Sequence, residues 1–359
     1  MAAYLVVFLL FFLPLVVIPI GISPFETPKV ILTEAVINTL LFLKIINFKK
    51  PQLKQFINPQ IIFVGILFIL SLDTSLLFKS AGAFFGNAFR LQGQFLFMSL
   101  LLFSLMTKNI QLDQIPKFLY QLSLLFLFMG TVILGSFEGR AFGTLGEPNA
   151  LAATALFIFP FTWSHCRRLI RFLTLVATCT LILLSGSRAG LIGLIIEVVF
   201  IILIRVKTST LKATIICILL MMLSLTLPVA ATPRLFENRA EIWQTALMAG
   251  LKSPFIGHGF GSIQKIIHKE AVSLNNNVQY QIVDSAHNFL LDFWIQGGLV
   301  GVVSISLLIY LAFQRFIQHK KLLETTALLG LMTAMLFNPL SVVNLLAFWW
   351  LIGYNNNSA

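Results

Sequence analysis

Four arginines, two histidines and the glycines beside them are the residues of this chain whose types and spacing can do chemistry. Arg90, Arg140, Arg188 and Arg239 each stand in a polar connection next to a long apolar run, and His258 and His287 lie in the same kind of segment. Arginine presents a planar fork of donors that grips phosphate oxygens two at a time, and it keeps its charge where water is scarce. Glycines surround it in Ser185-Gly186-Ser187-Arg188-Ala189-Gly190 and recur in Gly257-His258-Gly259-Phe260-Gly261. There a missing side chain lets a ligand approach the backbone, although paired glycines such as Gly297 and Gly298 also serve close helix packing. A single arginine is accounted for by snorkelling to lipid headgroups, or by pairing with Glu138, Glu147 or Glu237. Four from separate connections, if they converge, make a positive pocket suited to a pyrophosphate.

His287 sits in Asp284-Ser285-Ala286-His287-Asn288, where a polar segment meets the apolar run beginning at Phe289. With Asp284 or Ser285 as the helix cap, His287 falls in the first turn. The positive end of the helix dipole and neighbouring arginines there favour the neutral ring, which is a competent general base. A histidine anchored at headgroup level is the plainer alternative, and His258, between two glycines, has the same two readings.

Four acids fall inside apolar runs: Glu34, Asp73, Glu197 and Asp292. They raise the rival reading of an ion or proton pathway through a transporter or flippase. They are scattered over four runs without intramembrane Lys or Arg, however, and pairing with polar groups of neighbouring helices accounts for them. No two acids stand at Asp-x-Asp spacing and no acid follows Phe348-Trp349-Trp350, so no catalytic metal is expected. A phosphate loop of Walker type, a Gly-x-Ser-x-Gly elbow and a His-Glu-x-x-His zinc helix are all missing from the sequence.

The elements that must position these residues are membrane helices. Of 359 residues, 58% are hydrophobic and only 11% charged, against about a quarter charged in ordinary soluble domains. Apolar runs fall at roughly 4–22, 29–47, 60–78, 93–106, 116–136, 148–164, 168–184, 189–206, 211–231, 287–313, 322–337 and 340–354. The first lacks the basic leader and small-x-small cleavage site of a secretory signal and reads as a retained helix. Cys166, Cys179 and Cys217 imply no disulfide framework.

Alternate connections hold Lys44, Lys49, Lys50, Lys54, Lys108, Lys117, Arg167, Arg168, Arg171, Arg205, Lys207, Lys212, Arg315, Lys320 and Lys321. The other short ones hold only Lys29, Lys79, Arg90, Arg140 and Arg188. This positive-inside bias makes the first set and both termini cytoplasmic, and the long segment from residue 232 to 286 external. The net charge of +12 comes without a basic stripe and interleaved aromatics, so nucleic acid is no partner.

The expectation is an all-α integral membrane protein of about twelve transmembrane helices. It forms a single polytopic domain over 1–359, with 232–286 a partly helical extracytoplasmic loop between helices nine and ten. Within that loop Asn238 is a candidate cap for a helix whose third position is Glu241 and which presents Arg239 and Trp243 on one face.

At this point the chain resembles the O-antigen ligase and polymerase family, bacterial membrane enzymes that move glycans from a polyprenyl pyrophosphate carrier. The resemblance rests on Arg140-Ala141-Phe142-Gly143-Thr144 with Glu147-Pro148-Asn149-Ala150, on Ser185 to Gly190, and on Asn238-Arg239-Ala240-Glu241-Ile242-Trp243. It extends through Pro254-Phe255-Ile256-Gly257-His258-Gly259 and Ala286-His287-Asn288-Phe289-Leu290 to Gly297-Gly298-Leu299-Val300-Gly301. Family members often carry Asn where Glu147 stands and a second His where Ser285 stands.

The resemblance implies a GT-C-like fold in the bacterial plasma (inner) membrane. It also implies a lipid-linked glycan donor, a glycan or lipid-glycan acceptor, and no cofactor. Carried onto matching positions, it has Arg188 and Arg239 holding the donor pyrophosphate and His287 activating the acceptor hydroxyl. Arg140, Arg90, His258, Trp243 and Asn288 are candidate substrate contacts. Ligase is the first reading, polymerase of lipid-linked repeat units the second, and transporter the rival of another class.

Overall fold

The computed structural model describes residues 2–46, 58–72, 84–87, 89–110, 115–163, 168–226, 239–281, 283–339 and 341–354. Asp73, Glu237 and the candidate cap Asn238 lie outside the described residues. α1 (Ala2–Val7) runs on through a π-helical stretch at Phe8–Phe12 and a 3-10 turn at Leu13–Leu15. Then come α2 (Thr27–Ile46), α3 (Pro59–Ser71), α4 (Gln94–Met106) and α5 (Phe118–Leu134). A short hairpin of β1 (Ser136–Phe137) and β2 (Arg140–Ala141) leads into α6 (Pro148–Trp163), α7 (Arg168–Ser185), α8 (Arg188–Arg205) and α9 (Thr210–Ser224). α10 (Arg239–Leu251) and α11 (Ile263–Leu274) lie within the long polar segment, and α12 (Phe289–Gln318), α13 (Leu322–Met335) and α14 (Val342–Gly353) complete the chain.

Each of the twelve apolar runs overlaps one of these helices, but helix in the first run ends at Leu15 rather than at residue 22, and runs 60–78 and 211–231 continue outside the described residues. α7 and α12 are long and apolar enough, by length and composition, to cross a membrane. Many starts are locally encoded. Ser187, Ser209, Ser341 and Asn58 accept a hydrogen bond from a backbone N–H of the first turn, and Pro59 and Pro148 occupy first helical positions, where a missing N–H costs nothing.

α6, α13 and α14 are buried almost all round, which places them at the centre. α7 and α8 pack on α6, α8 and α12 pack on α13, and α3 packs on α12. The peripheral helices expose apolar side chains instead. Leu169, Phe172 and Leu183 on α7 and Leu211, Leu219 and Leu223 on α9 are exposed, a surface that requires lipid rather than water. α10 and α11 pack on each other, and their small core of Ile242, Ala246, Ile267 and Ala271 also takes in Ala286 and Ile295.

α12 is interrupted at Gly298, whose φ of 57° lies in the left-handed region. The break is filled by the 254–259 segment. His258 N–H donates to Ile295 O and Gly259 N–H to Gln296 O, while Leu299 and Val300 N–H donate to Pro254 O and Phe255 O. Backbone groups that an interrupted helix would leave bare are thereby paired. A Cβ on Gly257 would collide with the Gln296 carbonyl and one on Gly298 with Phe255, so these glycines serve backbone contact between two segments.

The acids inside helices have local partners or local room. Glu34 accepts from the Ser99 hydroxyl at 2.7 Å, and the fully buried Glu197 lies against Gly330, where no side chain blocks it. Lys29, also fully buried, donates to Phe25 O at 2.8 Å and Thr144 O at 2.7 Å.

Candidate active site

The turn that carries His287 is built from both sides. Asn288 caps α12, its Oδ1 accepting from Leu290 N–H at 3.0 Å and Leu291 N–H at 3.3 Å. Asp292, one helical turn on, reaches back to accept from the Ser285 hydroxyl at 2.7 Å and from Ala286 N–H at 2.6 Å. Ser285 Oγ in turn accepts from His287 N–H at 3.0 Å. This corrects the expected capping: His287 stands one residue before the cap and not in the first turn. Asn is as good a cap as Asp or Ser, and both alternatives are engaged elsewhere. His287 has φ 54°, a left-handed conformation that costs a non-glycine residue about 1 kcal/mol and that the surrounding hydrogen bonds hold in place.

Asp284 belongs to Arg90. The guanidinium donates through Nε to Asp284 at 2.5 Å and through Nη1 to Glu147 at 3.2 Å, joining the connection before α4, the start of α6 and the His287 turn. Burial works against the charge on Arg90, but Glu147, Asp284 and Glu26 outweigh it and hold its pKa above the ordinary value. Burial pushes the Glu147 carboxyl up despite Arg90. The Glu26 carboxyl is raised to about 7 by burial, against the pull of Arg90 and Lys29.

Arg140 donates through Nε to Ser185 O at 2.9 Å and through Nη2 to Asn149 at 3.0 Å, tying the hairpin to the end of α7 and the start of α6. It also passes over Gly186, which leaves room for it. Arg188 opens α8 beside the Ser187 cap and is exposed. Gly190, in the same first turn, lies so close to Ala152 of α6 that a side chain would not fit.

Arg239 opens α10 and is buried, with Nη2 donating to Asn338 at 3.3 Å. One turn on, Trp243 meets Phe337 with ring centroids 6.3 Å apart. His258 is placed apart from the His287 turn, at the α12 break, its Nε2 lying 2.8 Å from Ala249 O.

Two concavities lie beside the segment that carries His287, and both are lined by Phe289, while His287 itself lines neither. One, of about 120 Å³, has Asn87, Arg90, Asp284, Ser285 and Asp292 on its polar wall and Phe97, Phe289, Phe348 and Trp349 on its apolar wall. The other is an apolar groove of about 600 Å³ between α9, α12 and α13, lined by Ile215, Met222, Ile309, Tyr310 and Phe313 and also by Phe289. The arrangement can hold an amphipathic molecule with its polar end at the turn. Sequence reasoning did not single out Glu26, Asn338 or the bracing role of Asp292. Asp292 stands four residues after a helix cap, a spacing at which an acid can reach back over the turn.

Residues 172–306, from α7 into α12, match the family model described as O-Antigen ligase. That span contains Arg188, Arg239, Trp243, His258, His287 and Asn288, whereas Arg90 and Arg140 lie outside it. An uncharacterized protein of Haemophilus influenzae (strain ATCC 51907 / DSM 11121 / KW20 / Rd) is 31% identical over 81 residues, 23% of this chain. The match spans a fifth, 20%, of that relative's length.

Proposed function

Because residues 172–306 carry the O-antigen ligase family domain, we propose that this bacterial membrane protein is a glycosyltransferase. It moves a glycan from undecaprenyl pyrophosphate to an acceptor at the outer face of the plasma membrane, with all twelve apolar helices crossing the bilayer and both termini cytoplasmic. The observation that supports the reading is the pair of concavities beside the His287 segment, a cavity with Arg90, Asp284 and Asp292 on its polar wall and an apolar groove, which share Phe289. The groove suits the isoprenoid chain of a donor, and the cavity suits the hydroxyl-bearing acceptor.

In this mechanism Arg188 and Arg239 hold the pyrophosphate. His287 takes the proton from the acceptor hydroxyl as its oxygen bonds to the anomeric carbon. The bond from that carbon to the phosphate oxygen breaks, and the electron pair leaves with the pyrophosphate. A sugar on pyrophosphate already has a good leaving group, so the barrier falls mainly by stabilising charge developing on phosphate. Attack by the acceptor oxygen from the side opposite the leaving pyrophosphate inverts the anomeric centre. Arg90 borders the acceptor cavity, and Asn288, the cap of α12, holds the turn that carries His287. Arg140, Trp243 and His258 support the segments that carry the phosphate-binding arginines.

The test is glycan transfer by the purified protein in detergent, supplied with lipid-linked donor and either a glycolipid acceptor or a second lipid-linked glycan. Product on the first acceptor marks a ligase, and a lengthened lipid-linked glycan marks a polymerase. A wild-type protein that binds donor and transfers to neither acceptor overturns the reading.

A further inference from the structure

We propose that Arg168, Arg171 and Arg205 form a binding site for the phosphate of an anionic membrane lipid, at the end of the bundle remote from the His287 turn. The inference is independent of the reaction proposed above. These arginines line one open concavity of about 470 Å³ together with Trp163, Phe172 and Leu175, and no carboxylate of the described residues lines it.

Its place follows from three helices. α6 begins beside Glu147 and Asn149, which meet Arg90 and Arg140; α7 ends at Ser185, which meets Arg140; and α8 begins at Arg188. The pocket residues lie at the opposite ends, Trp163 closing α6, Arg168 opening α7 and Arg205 closing α8. Helices of 16 to 18 residues are roughly 24 to 27 Å long, close to the ~30 Å thickness of a hydrocarbon layer. The pocket therefore stands at the other membrane surface, on the side where the lysines and arginines accumulate.

The positive-inside bias places cations in a connection, but it does not draw three of them from two helices into one concavity. Guanidinium forks fit phosphate oxygens two at a time. Arg205 is steadied over the Trp163 ring, 5.7 Å from its centroid.

The walls also distinguish a lipid from a free anion. Phe172 and Leu175 carry the pocket onto the exposed apolar face of α7, where Leu169 is 68% and Leu173 is 53% exposed, so acyl chains have a surface to lie on. Basic pockets between membrane helices at the cytoplasmic surface are suited to anionic headgroups.

The protein is purified in detergent, and lipid retention is measured by native mass spectrometry with dioleoylphosphatidylglycerol against dioleoylphosphatidylcholine. Thermal stabilisation by each lipid is measured alongside. Wild type is expected to prefer phosphatidylglycerol about tenfold or more, and Arg168→Gln/Arg171→Gln/Arg205→Gln to lose the preference. Lys320→Gln, a cation of the same surface outside the pocket, should keep it. Arg205→Gln alone, which leaves α7 intact, should lower the preference several-fold and serves where the triple variant does not fold. Absence of a preference in wild type, or an equal preference in the folded Arg205→Gln and triple variants, overturns the proposal. So does stabilisation by inorganic phosphate equal to that by phosphatidylglycerol, which would assign the pocket to a free anion.

Discussion

Arg90 and Asp284 are joined across 194 residues of chain by an ion pair 2.5 Å long, three residues before His287. Glu147 takes another nitrogen of the same guanidinium, so Arg90 is neutralised within the fold and fixes the outer end of the turn to two other segments. Removing one partner of a buried pair costs roughly 3–5 kcal/mol, because the other charge is left stranded. The cost here is smaller, since the two side chains keep 12% and 18% of their exposure. Arg90 thus acts on the geometry of the turn, while Arg188 is exposed.

His287→Ala is expected to leave donor affinity nearly unchanged and to lower turnover by about 10²- to 10⁴-fold, the usual worth of a general base. Donor affinity and transfer rate measured on the same preparation check this. Transfer at the wild-type rate would make His287 a headgroup anchor.

Arg188→Ala and Arg239→Ala should fail differently from His287→Ala. Each removes a charge-assisted contact that strengthens as the leaving group gains charge, so donor binding and turnover both drop. Arg→Lys at either place should remain impaired, because a point charge does not reproduce the two-pronged grip. Titration of a lipid-linked donor against each variant decides between lost binding and lost chemistry.

Transfer should survive a chelator. The carboxylates nearest the turn are spent, Glu147 and Asp284 on Arg90 and Asp292 on Ser285 and Ala286, which leaves charge stabilisation to the arginines. Activity lost in EDTA and restored by Mg²⁺ or Mn²⁺ would sink the arginine-only mechanism.

Glu26 sets a pH dependence of stability. Its carboxyl is raised from 4.5 to about 7, so between those values the folded state binds more protons than the unfolded one and stability falls as pH rises. The cost is absent below the unfolded pKa and complete above the folded one. Glu26→Gln keeps an acceptor for Val342 N–H and should melt higher than wild type, with the advantage growing from pH 5 to pH 8. Melting curves in detergent test the sign; an advantage that shrinks over that range refutes it.

The helices were legible because long apolar runs stand out in the composition, and the arginines stood out because each lies in a polar connection beside such a run. The His287 turn was legible in composition but not in register. Asp284, Ser285 and Asn288 are all competent caps, and the choice is made by Arg90 and Asp292, one of them distant in sequence. Asp292 itself read as an intramembrane acid, since its partners are a hydroxyl and a backbone N–H that no periodicity marks. The break at Gly298 was hidden for a similar reason: paired glycines in a membrane helix ordinarily mean close packing of neighbouring helices, and the docked 254–259 backbone leaves no side-chain pattern.

Gly257 of the docked backbone and Gly298 of the α12 break face each other across one contact, each closing on main-chain atoms of the other segment. In genetic terms they behave as one locus. A side chain at either position forces the same two segments apart, so the second substitution meets a contact already lost, and the pair should be strongly non-additive. Nor does a compensating change elsewhere restore it, because the colliding atoms are main-chain atoms, which no substitution of a neighbour can trim. The two glycine motifs, about forty residues apart in the chain, serve a single contact.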